Sequence, residues 1–165
     1  MSILNGLFGK KRRTEANVIY APCKGNVIAL ERFPDEVFST GVMGKGCGIW
    51  PEEGCISAPF DGEIIQIAET KHAICLRSRD GIEVIIHIGL DTVEMNGNGF
   101  KVLVQMGETV SMGKKLVLFD MDKIKKAGYQ NIAAIIVLNS AVYQAFDLLA
   151  EGQTDMGKAI IKLLK

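Results

Sequence analysis

Residues 70–90 have the sequence TKHAICLRSRDGIEVIIHIGL, in which two apolar runs flank a short polar segment. Asp80-Gly81 lies between runs rich in β-branched residues, a pattern typical of a β-hairpin. His72 and His87 are the only two histidines of the 165-residue chain, and each interrupts one run. The stretch therefore predicts two antiparallel strands that carry both imidazoles of the protein.

The length of the hairpin loop decides whether the two imidazoles share a face of the sheet. A two-residue loop at Asp80-Gly81 makes them diagonal neighbours, and a four-residue loop from Ser78 to Gly81 places them directly opposite each other. A three-residue loop sends them to opposite faces, because a shift of one residue reverses every side chain. Two of the three simplest registers therefore predict a paired-histidine site.

A histidine pair on one face can divide the work of catalysis. A neutral imidazole has one donor and one acceptor nitrogen, so one ring could attack phosphorus or bind a metal while the other donates N–H to an anion. Thr70 lies two residues before His72, and its hydroxyl could fix the tautomer of that ring. The alternative is two structural histidines, and the residues alone leave both interpretations open.

The composition indicates a globular all-β domain. Hydrophobic residues make up 48% and charged residues 23%, which is ordinary for a soluble protein. The 19 basic and 19 acidic residues balance, so no net positive field favours nucleic acid, and 18 glycines punctuate short β-branched runs. The apolar start lacks the order of a secretory signal, and no apolar run approaches the roughly 20 residues that span a bilayer.

The four cysteines show no C-x-x-C spacing, which argues against a zinc site. We expect Cys23, Cys47, Cys55 and Cys75 to be small hydrophobic residues in a reducing cytosol, and we expect no metal.

Two similar octapeptides indicate two related half-motifs in one sheet system. Residues 21–28 (APCKGNVI) and 58–65 (APFDGEII) each predict an entry through proline, a turn and a strand. Further strands are predicted at residues 101–105, 116–119, 132–138 and 159–163.

Helices are predicted at two places. Lys123–Ala127 should follow Asp122 and end at Gly128, and Ala141–Ala150 has apolar residues at helical spacing. The glycine cluster at residues 41–48 lacks the spacing of a phosphate-binding loop and indicates turns instead.

The first 16 residues differ from the rest, so we expect a flexible or amphipathic segment at 1–16 and one folded domain at 17–165. Apolar residues at helical spacing precede the basic run at residues 10–13. Residues 1–13 could make weak contact with an anionic membrane, and the alternative is a solvated terminus.

The sequence HIGLDTVEMNGNGF at residues 87–100 closely resembles the phosphohistidine signature of the glucose-type IIA domains of the bacterial phosphoenolpyruvate-dependent sugar phosphotransferase system. The resemblance covers about residues 20–125. It extends to residues 33–38, 58–62, 69–73, 107–110 and 118–120.

This resemblance implies an antiparallel β-sandwich or flattened barrel, jelly-roll-like and built from a duplicated hybrid motif, with short helices. It also implies that His87 is phosphorylated through Nε2 and that His72 donates a hydrogen bond to the phosphoryl group. Thr70 would orient His72 by a hydrogen bond.

Further residues match binding positions of the family. By this matching, Asp91 lies at the rim of the site, and Asp35, Val37 and Phe38 belong to a loop that helps to form an apolar contact surface for partners. Backbone N–H groups around Gly89 could bind phosphoryl oxygens.

The expected function is that of a cytoplasmic phosphoryl carrier. His87 would accept a phosphoryl group from the phosphohistidine carrier HPr and pass it to a IIB domain, which phosphorylates sugar during uptake through IIC. No cofactor beyond the covalent phosphate on His87 is expected. The start at Met1 and the lack of a membrane or IIB-like segment predict a free-standing IIA component, and binding of regulatory targets could coexist with the relay.

Two other functions are less consistent with the residues. A zinc hydrolase needs three or more ligands, whereas only His72 and His87 are available and Gly89 occupies the position that an H-x-H pattern would need. A biotinyl or lipoyl carrier is suggested by the sequence VSMG at residues 110–113, but the Met-Lys-Met attachment turn is missing. The sugar is not encoded in this chain, since sugar contacts belong to IIB and IIC.

Overall fold

The computed structural model describes residues 14–165, and the predicted lipid contact of residues 1–13 lies outside them. The described part of the chain forms fourteen strands, two α-helices and three short 3-10 helices. The strands are β1 (Val18–Tyr20), β2 (Gly25–Ala29), β3 (Lys45–Pro51), β4 (Cys55–Ser57), β5 (Gly62–Ile67), β6 (Ala73–Ser78), β7 (Glu83–Ile88), β8 (Phe100–Val102), β9 (Thr109–Val110), β10 (Lys115–Phe119), β11 (Ala133–Val137), β12 (Ala145–Leu148), β13 (Gly152–Thr154) and β14 (Ala159–Leu164). The α-helices are α1 (Glu36–Ser39) and α2 (Met121–Lys126), and the 3-10 helices are Leu30–Arg32, Thr92–Met95 and Ser140–Val142.

The strands form three antiparallel sheets around one core. The large sheet has the order β13-β2-β3-β11-β7-β6-β5-β9, and the two small sheets have the orders β1-β14-β12 and β4-β10-β8. The main core draws on all three sheets, with Ile86 from the large sheet and Ile161 and Val117 from the small ones. The predicted antiparallel β-sandwich with short helices is therefore confirmed.

The two octapeptides occupy equivalent positions, as predicted. β2 and β5 each begin with a glycine, because a Cβ on Gly25 would lie 2.2 Å from the carbonyl oxygen of Trp50, and one on Gly62 would lie 2.1 Å from that of Arg77. The residue before each octapeptide also donates a hydrogen bond to the proline carbonyl of the other octapeptide. Ser57 N donates to the Pro22 carbonyl at 2.8 Å, and Tyr20 N donates to the Pro59 carbonyl at 2.9 Å.

The hairpin between β6 and β7 has the three-residue register, the alternative that was expected to place the two histidines on opposite faces. Ala73, not His72, pairs with His87, and Ser78 N donates to the Ile82 carbonyl around a three-residue loop. Gly81 has φ +92°, and a glycine in this conformation completes the three-residue type of hairpin loop. The two-residue and four-residue loops were therefore wrong.

Two predictions for helices need correction. Helix α2 begins earlier than expected, because the carboxylate of Asp120 rather than Asp122 caps it by accepting from Lys123 N at 3.0 Å. The predicted helix at 141–150 is wrong, since the chain there forms a 3-10 turn and then β12, which pairs with β14. Pairing with an apolar strand outweighs the local helical periodicity.

The glycine cluster at 41–48 is only half explained by turns. Gly41 and Gly44 have positive φ, as turn residues do, but Gly46 and Gly48 lie inside β3. A Cβ on Gly46 would lie 2.0 Å from the carbonyl oxygen of Ile135, so this position requires close backbone approach.

Cys23, Cys47 and Cys75 are buried and Cys55 is half-buried, with all four free. Burial raises the pKa of the Cys23 and Cys47 thiols to about 12, as befits small hydrophobic residues. Among the residues from Thr14 onward, no helix has the length and apolar character needed to cross a membrane.

Candidate functional site

His87 lies on the face of the large sheet that is turned away from the main core. Along β7, Val84, Ile86 and Ile88 are fully buried in the main core, so His87 and Ile85 point to the other side. That side carries a second apolar group, the outer cluster, which consists of Leu30, Phe33, Phe38, Leu90, Ile132, Ala134 and Ile136. His87 therefore sits in an apolar but accessible position between strand and loop.

His72 joins His87 although the hairpin register alone would separate them. The two ring centroids are 4.8 Å apart, and the rings are nearly perpendicular at 84°. His72 precedes the first residue of β6 and follows Lys71, whose φ is +64°. β6 begins only at Ala73, so the alternation of faces along the strand does not fix the side of His72. The predicted pairing is present, although the hairpin register does not account for it.

Thr70 contacts His72 as expected from its position in the sequence. The Oγ1 atom of Thr70 is 2.8 Å from Nδ1 of His72. A hydroxyl that donates to Nδ1 leaves the ring proton on Nε2, so this contact can set the tautomer of His72.

Both imidazoles are uncharged at neutral pH. Burial, followed by the neighbouring His72, lowers the pKa of His87 from 6.5 to about 4, and the Gly89 backbone, Asp35 and Asp91 oppose this shift. Burial also lowers the pKa of His72, against an opposing contribution from the Thr70 backbone. Each neutral ring therefore has one nitrogen that can accept and one that can donate a hydrogen bond.

One nitrogen of His87 is turned inward. Nδ1 is buried and makes no well-formed hydrogen bond within residues 14–165, although the Gly89 backbone is close enough to favour a proton there. Gly89 itself has φ +82°, and a Cβ at this position would lie 2.4 Å from Cγ2 of Thr92. The turn after His87 therefore requires glycine.

Three of the residues proposed from the sequence act on His87, Phe38 by ring contact and Asp35 and Asp91 by their charge. Asp35 caps α1 by accepting from Val37 N at 2.9 Å, and Val37 is 54% exposed. Phe38 is only 4% exposed and lies 5.1 Å from the His87 ring, so it forms an inner wall and contributes little surface. Asp91 adopts a left-handed conformation with φ +59°, and its side chain makes no capping hydrogen bond.

The sequence pattern did not predict a role for two residues near the site, Val93 and Phe33. Val93 is 46% exposed beside Asp91, and Phe33 packs edge-on against Phe38 with ring centroids 5.3 Å apart. The only sequence signal for Val93 was its place as an apolar residue beside Glu94 in the stretch 87–100. Nothing in the local pattern indicated the contact of Phe33.

Other features of the described chain lie apart from the histidine pair. Within residues 14–165, no group of three or more His, Cys, Asp or Glu side chains is arranged to hold a metal ion. A cavity of about 430 Å³ is lined by residues 99–101, 118–120 and 123, and none of them belongs to the site.

The fold and the site together define an all-β protein with two adjoining uncharged imidazoles beside an apolar rim. The family model for the phosphoenolpyruvate-dependent sugar phosphotransferase system, EIIA 1, matches residues 17–143. This is most of the chain, and the chain belongs to that family. It is therefore an EIIA component of a system that couples phosphoryl transfer to sugar uptake.

Individual relatives support this assignment. The glucose-specific EIIA component of Staphylococcus epidermidis is 42% identical over 135 residues, which cover 81% of each chain. The glucose-specific EIIA component of Bacillus cereus is 37% identical over 161 residues, covering 94% of this chain and 98% of the relative. The solved structure of glucose permease IIA from Mycoplasma capricolum is 33% identical, covers 90% of this chain and 95% of its own, and has a TM-score of 0.79.

Proposed function

We propose that the protein is a phosphoryl carrier in which His87 accepts a phosphoryl group from phosphorylated HPr and donates it to a IIB domain. The observation that carries the proposal is the uncharged His87 ring, with a pKa of about 4, set 4.8 Å from the His72 ring. An imidazole must be unprotonated at the attacking nitrogen, and burial secures that state at neutral pH.

Nε2 of His87 is the attacking nitrogen in this mechanism. Nδ1 is buried, which leaves the opposite edge of the ring for an incoming phosphoryl group. The lone pair of Nε2 forms the new P–N bond as the P–N bond to the donor histidine breaks, and the donor nitrogen recovers that electron pair. Transfer to IIB repeats the exchange, with His87 as the group that leaves.

His72 stabilises the transferred group by donating its Nε2–H to a phosphoryl oxygen. The hydrogen bond between Thr70 Oγ1 and His72 Nδ1, at 2.8 Å, supports this tautomer. Because the pKa of His72 is also lowered, the donor is a neutral imidazole whose proton is retained through the transfer. The N–H groups of Gly89 and Leu90, expected from the sequence to bind phosphoryl oxygens, instead donate to the carbonyl oxygens of Ile132 at 2.9 Å and Gln130 at 3.0 Å.

The rim excludes water and selects the partner. Exposed Val37 and Val93 offer apolar surface that a docking protein covers, which protects the P–N bond from hydrolysis. Asp35 and Asp91 both act electrostatically on His87, and such carboxylates attract basic side chains of a donor or acceptor protein.

The names of relatives support IIB as the acceptor. A beta-glucoside-specific EIIBCA component of Bacillus subtilis is 43% identical over 146 residues, and the match covers 88% of this chain but 24% of that protein. The name of this relative places B, C and A parts in one polypeptide. For this chain we propose transfer from His87 to a IIB domain, in the cytoplasm, with no cofactor beyond the phosphate on His87.

Reconstitution with phosphoenolpyruvate, enzyme I and HPr tests the proposal. Phosphate should be incorporated into the wild type and not into His87→Ala, and equal incorporation into both would refute the assignment. His72→Gln is the matched control, because it changes the neighbouring ring. We expect this variant to become phosphorylated on His87 but to transfer to IIB roughly 100-fold more slowly, the order of loss that removal of one such donor causes.

A further inference from the structure

A row of small residues crosses the large sheet at the level of His87. Ala73 on β6 and Ala134 on β11 flank His87 as direct partners, and Gly48 on β3 pairs with Ala134. Directly paired residues of antiparallel strands point to the same face, so these small residues share the outer face with His87. Because these side chains are small, they leave a shallow depression on the outer face of the sheet.

The rings of Phe33 and Phe38 fill this depression. A Cβ on Gly48 would lie 2.7 Å from Cδ2 of Phe33, so the Phe33 ring rests directly on the glycine. The Phe33 ring meets Phe38 edge-on at 73°, and the Phe38 ring meets His87 at 5.1 Å with a tilt of 55°. Phe33 and Phe38 are each 4% exposed, and both belong to the outer cluster with Ala134.

The two histidines are held by different means. The His72 ring has a hydrogen bond to Thr70, whereas the buried Nδ1 of His87 lacks a well-formed one within the described residues. Two rings contact His87, with centroid distances of 5.1 Å for Phe38 and 4.8 Å for His72. The orientation of His87 therefore depends on packing more than on hydrogen bonding.

On the basis of the proposed function, we infer that Phe38 is a positioning residue for phosphoryl transfer and that its ring holds the His87 ring in place from one side. Phe33, which packs on Gly48, supports the Phe38 ring. Transfer requires the attacking nitrogen in line with phosphorus, and a small rotation of the ring about its side-chain bonds misplaces Nε2. Aromatic pairs of this geometry are energetically favourable beyond the apolar area that they bury.

Helix α1 separates this role from partner docking. Val37 and Phe38 are adjacent, yet Val37 is 54% exposed and Phe38 is 4% exposed. The outward residue can touch a partner, whereas the inward one touches His87. Matched substitutions at the two positions therefore give opposite kinetic signatures.

Steady-state phosphorylation by HPr tests this division. For Phe38→Leu, which keeps an apolar side chain but removes the ring, we expect kcat to fall roughly tenfold with little change in KM for HPr. For Val37→Ala we expect KM to rise severalfold and kcat to stay within twofold. If Phe38→Leu raises KM and spares kcat, Phe38 is a docking residue and the inference is wrong.

A titration of His87 by NMR tests the same inference without any phosphoryl transfer. The pKa of His87 also reflects His72 on the β6 side, Asp35 before α1 and Asp91 after β7, all unchanged in the variant. Loss of the Phe38 ring admits water, so the pKa of His87 in Phe38→Leu should rise toward 6.5. An unchanged pKa together with unchanged kcat would overturn the inference.

Phe33→Leu provides a second variant that does not touch His87. We expect a smaller fall in kcat than for Phe38→Leu, with the same direction of pKa change, and an unaltered kcat would remove the bracing role. If the wild type is not phosphorylated on His87 at all, the proposed function fails, while the titration still decides whether Phe38 packs on the ring as described.

Discussion

His72 and His87 show how one residue type acquires two roles from its surroundings. The pKa of both rings is lowered mainly by burial, but only His72 has a hydroxyl at hydrogen-bond distance, the Oγ1 of Thr70 at 2.8 Å. The hydrogen-bonded ring has a defined tautomer and suits a donor. In His87 the nitrogen opposite the buried Nδ1 is available, and its lone pair suits a nucleophile.

Thr70→Val should impair the donor without disturbing the fold. The change keeps the shape of the side chain and removes the hydroxyl, so His72 loses the contact that favours a proton on Nε2. A hydrogen bond of this kind contributes about 1 kcal/mol, and we therefore expect onward transfer to IIB to slow by roughly fivefold. Single-turnover transfer and the ¹⁵N shifts of His72 measure the two effects.

Thr109→Val is the matched control for this change, because Thr109 is an exposed threonine on β9, outside the site. It should leave both transfer and the His72 tautomer as in the wild type. A Thr70→Val protein with an unaltered tautomer would show that the hydroxyl does not orient the ring.

At the scale of elements, the histidine pair was predicted for a reason that the structure does not support. The hairpin has a three-residue loop, and Ala73 is the partner of His87. The rings meet although His72 lies outside the regular strand, next to Lys71 with φ +64°. A lysine gives no local signal for that conformation, so the sequence pattern indicated which residues meet but not how.

Other elements also show that local sequence predicts a strand only where the strand's own residues specify it. Strands with strong β-branched runs, such as β11 and β14, were predicted because their own residues specify them. β12, which follows the 3-10 turn at Ser140–Val142, was missed because its conformation depends on pairing with β14. That partner strand lies later in the chain, so the local sequence around β12 does not reveal the pairing. The Phe33–Phe38 contact was missed for the same reason, because the Phe33 ring packs on Gly48, which lies on the separate strand β3.

Helix α1 is four residues long and depends on its cap. Asp35 accepts from Val37 N at 2.9 Å, and its carboxylate also acts on His87. Asp35→Ala removes both the cap and the charge, whereas Asp35→Asn keeps an N-capping side chain and removes only the charge. The pair of variants therefore separates the two roles.

We expect Asp35→Ala to lower the free energy of unfolding by about 1 kcal/mol and Asp35→Asn to lower it by much less. If the carboxylate attracts basic groups of HPr, both variants should raise KM at low salt, and the difference from wild type should shrink as salt increases. Urea unfolding and salt-dependent kinetics measure these effects. Equal stability of all three proteins would show that the cap is unimportant.

At the scale of the whole molecule, the site is separated from the main core by the large sheet. The inward residues of β7 pack in the main core, while His87 lies on the opposite face with the outer cluster. Stability therefore comes mostly from a core that the reacting groups do not enter, and the outer face can be specialised for transfer.

The buried histidines still couple stability to pH. The pKa of His87 is about 4 in the folded protein and near 6.5 in the unfolded chain, and that of His72 is lowered in the same direction. Between these values the unfolded state binds more protons, so stability rises with pH in this window and is lost as pH falls through it. The contribution of His87 alone is on the order of 3 kcal/mol.

Urea unfolding at pH 7 and pH 4.5 should reveal this coupling when the wild type is compared with His87→Gln. Glutamine does not titrate, so the variant should lose less stability between the two pH values, although the substitution itself alters stability at both. Carboxylates titrate in both proteins and cancel in the comparison, which leaves the histidine as the source of the difference. Equal losses in the two proteins would mean that His87 is as readily protonated in the fold as in the unfolded chain, and the neutral nucleophile that phosphoryl transfer requires would then lack its physical basis.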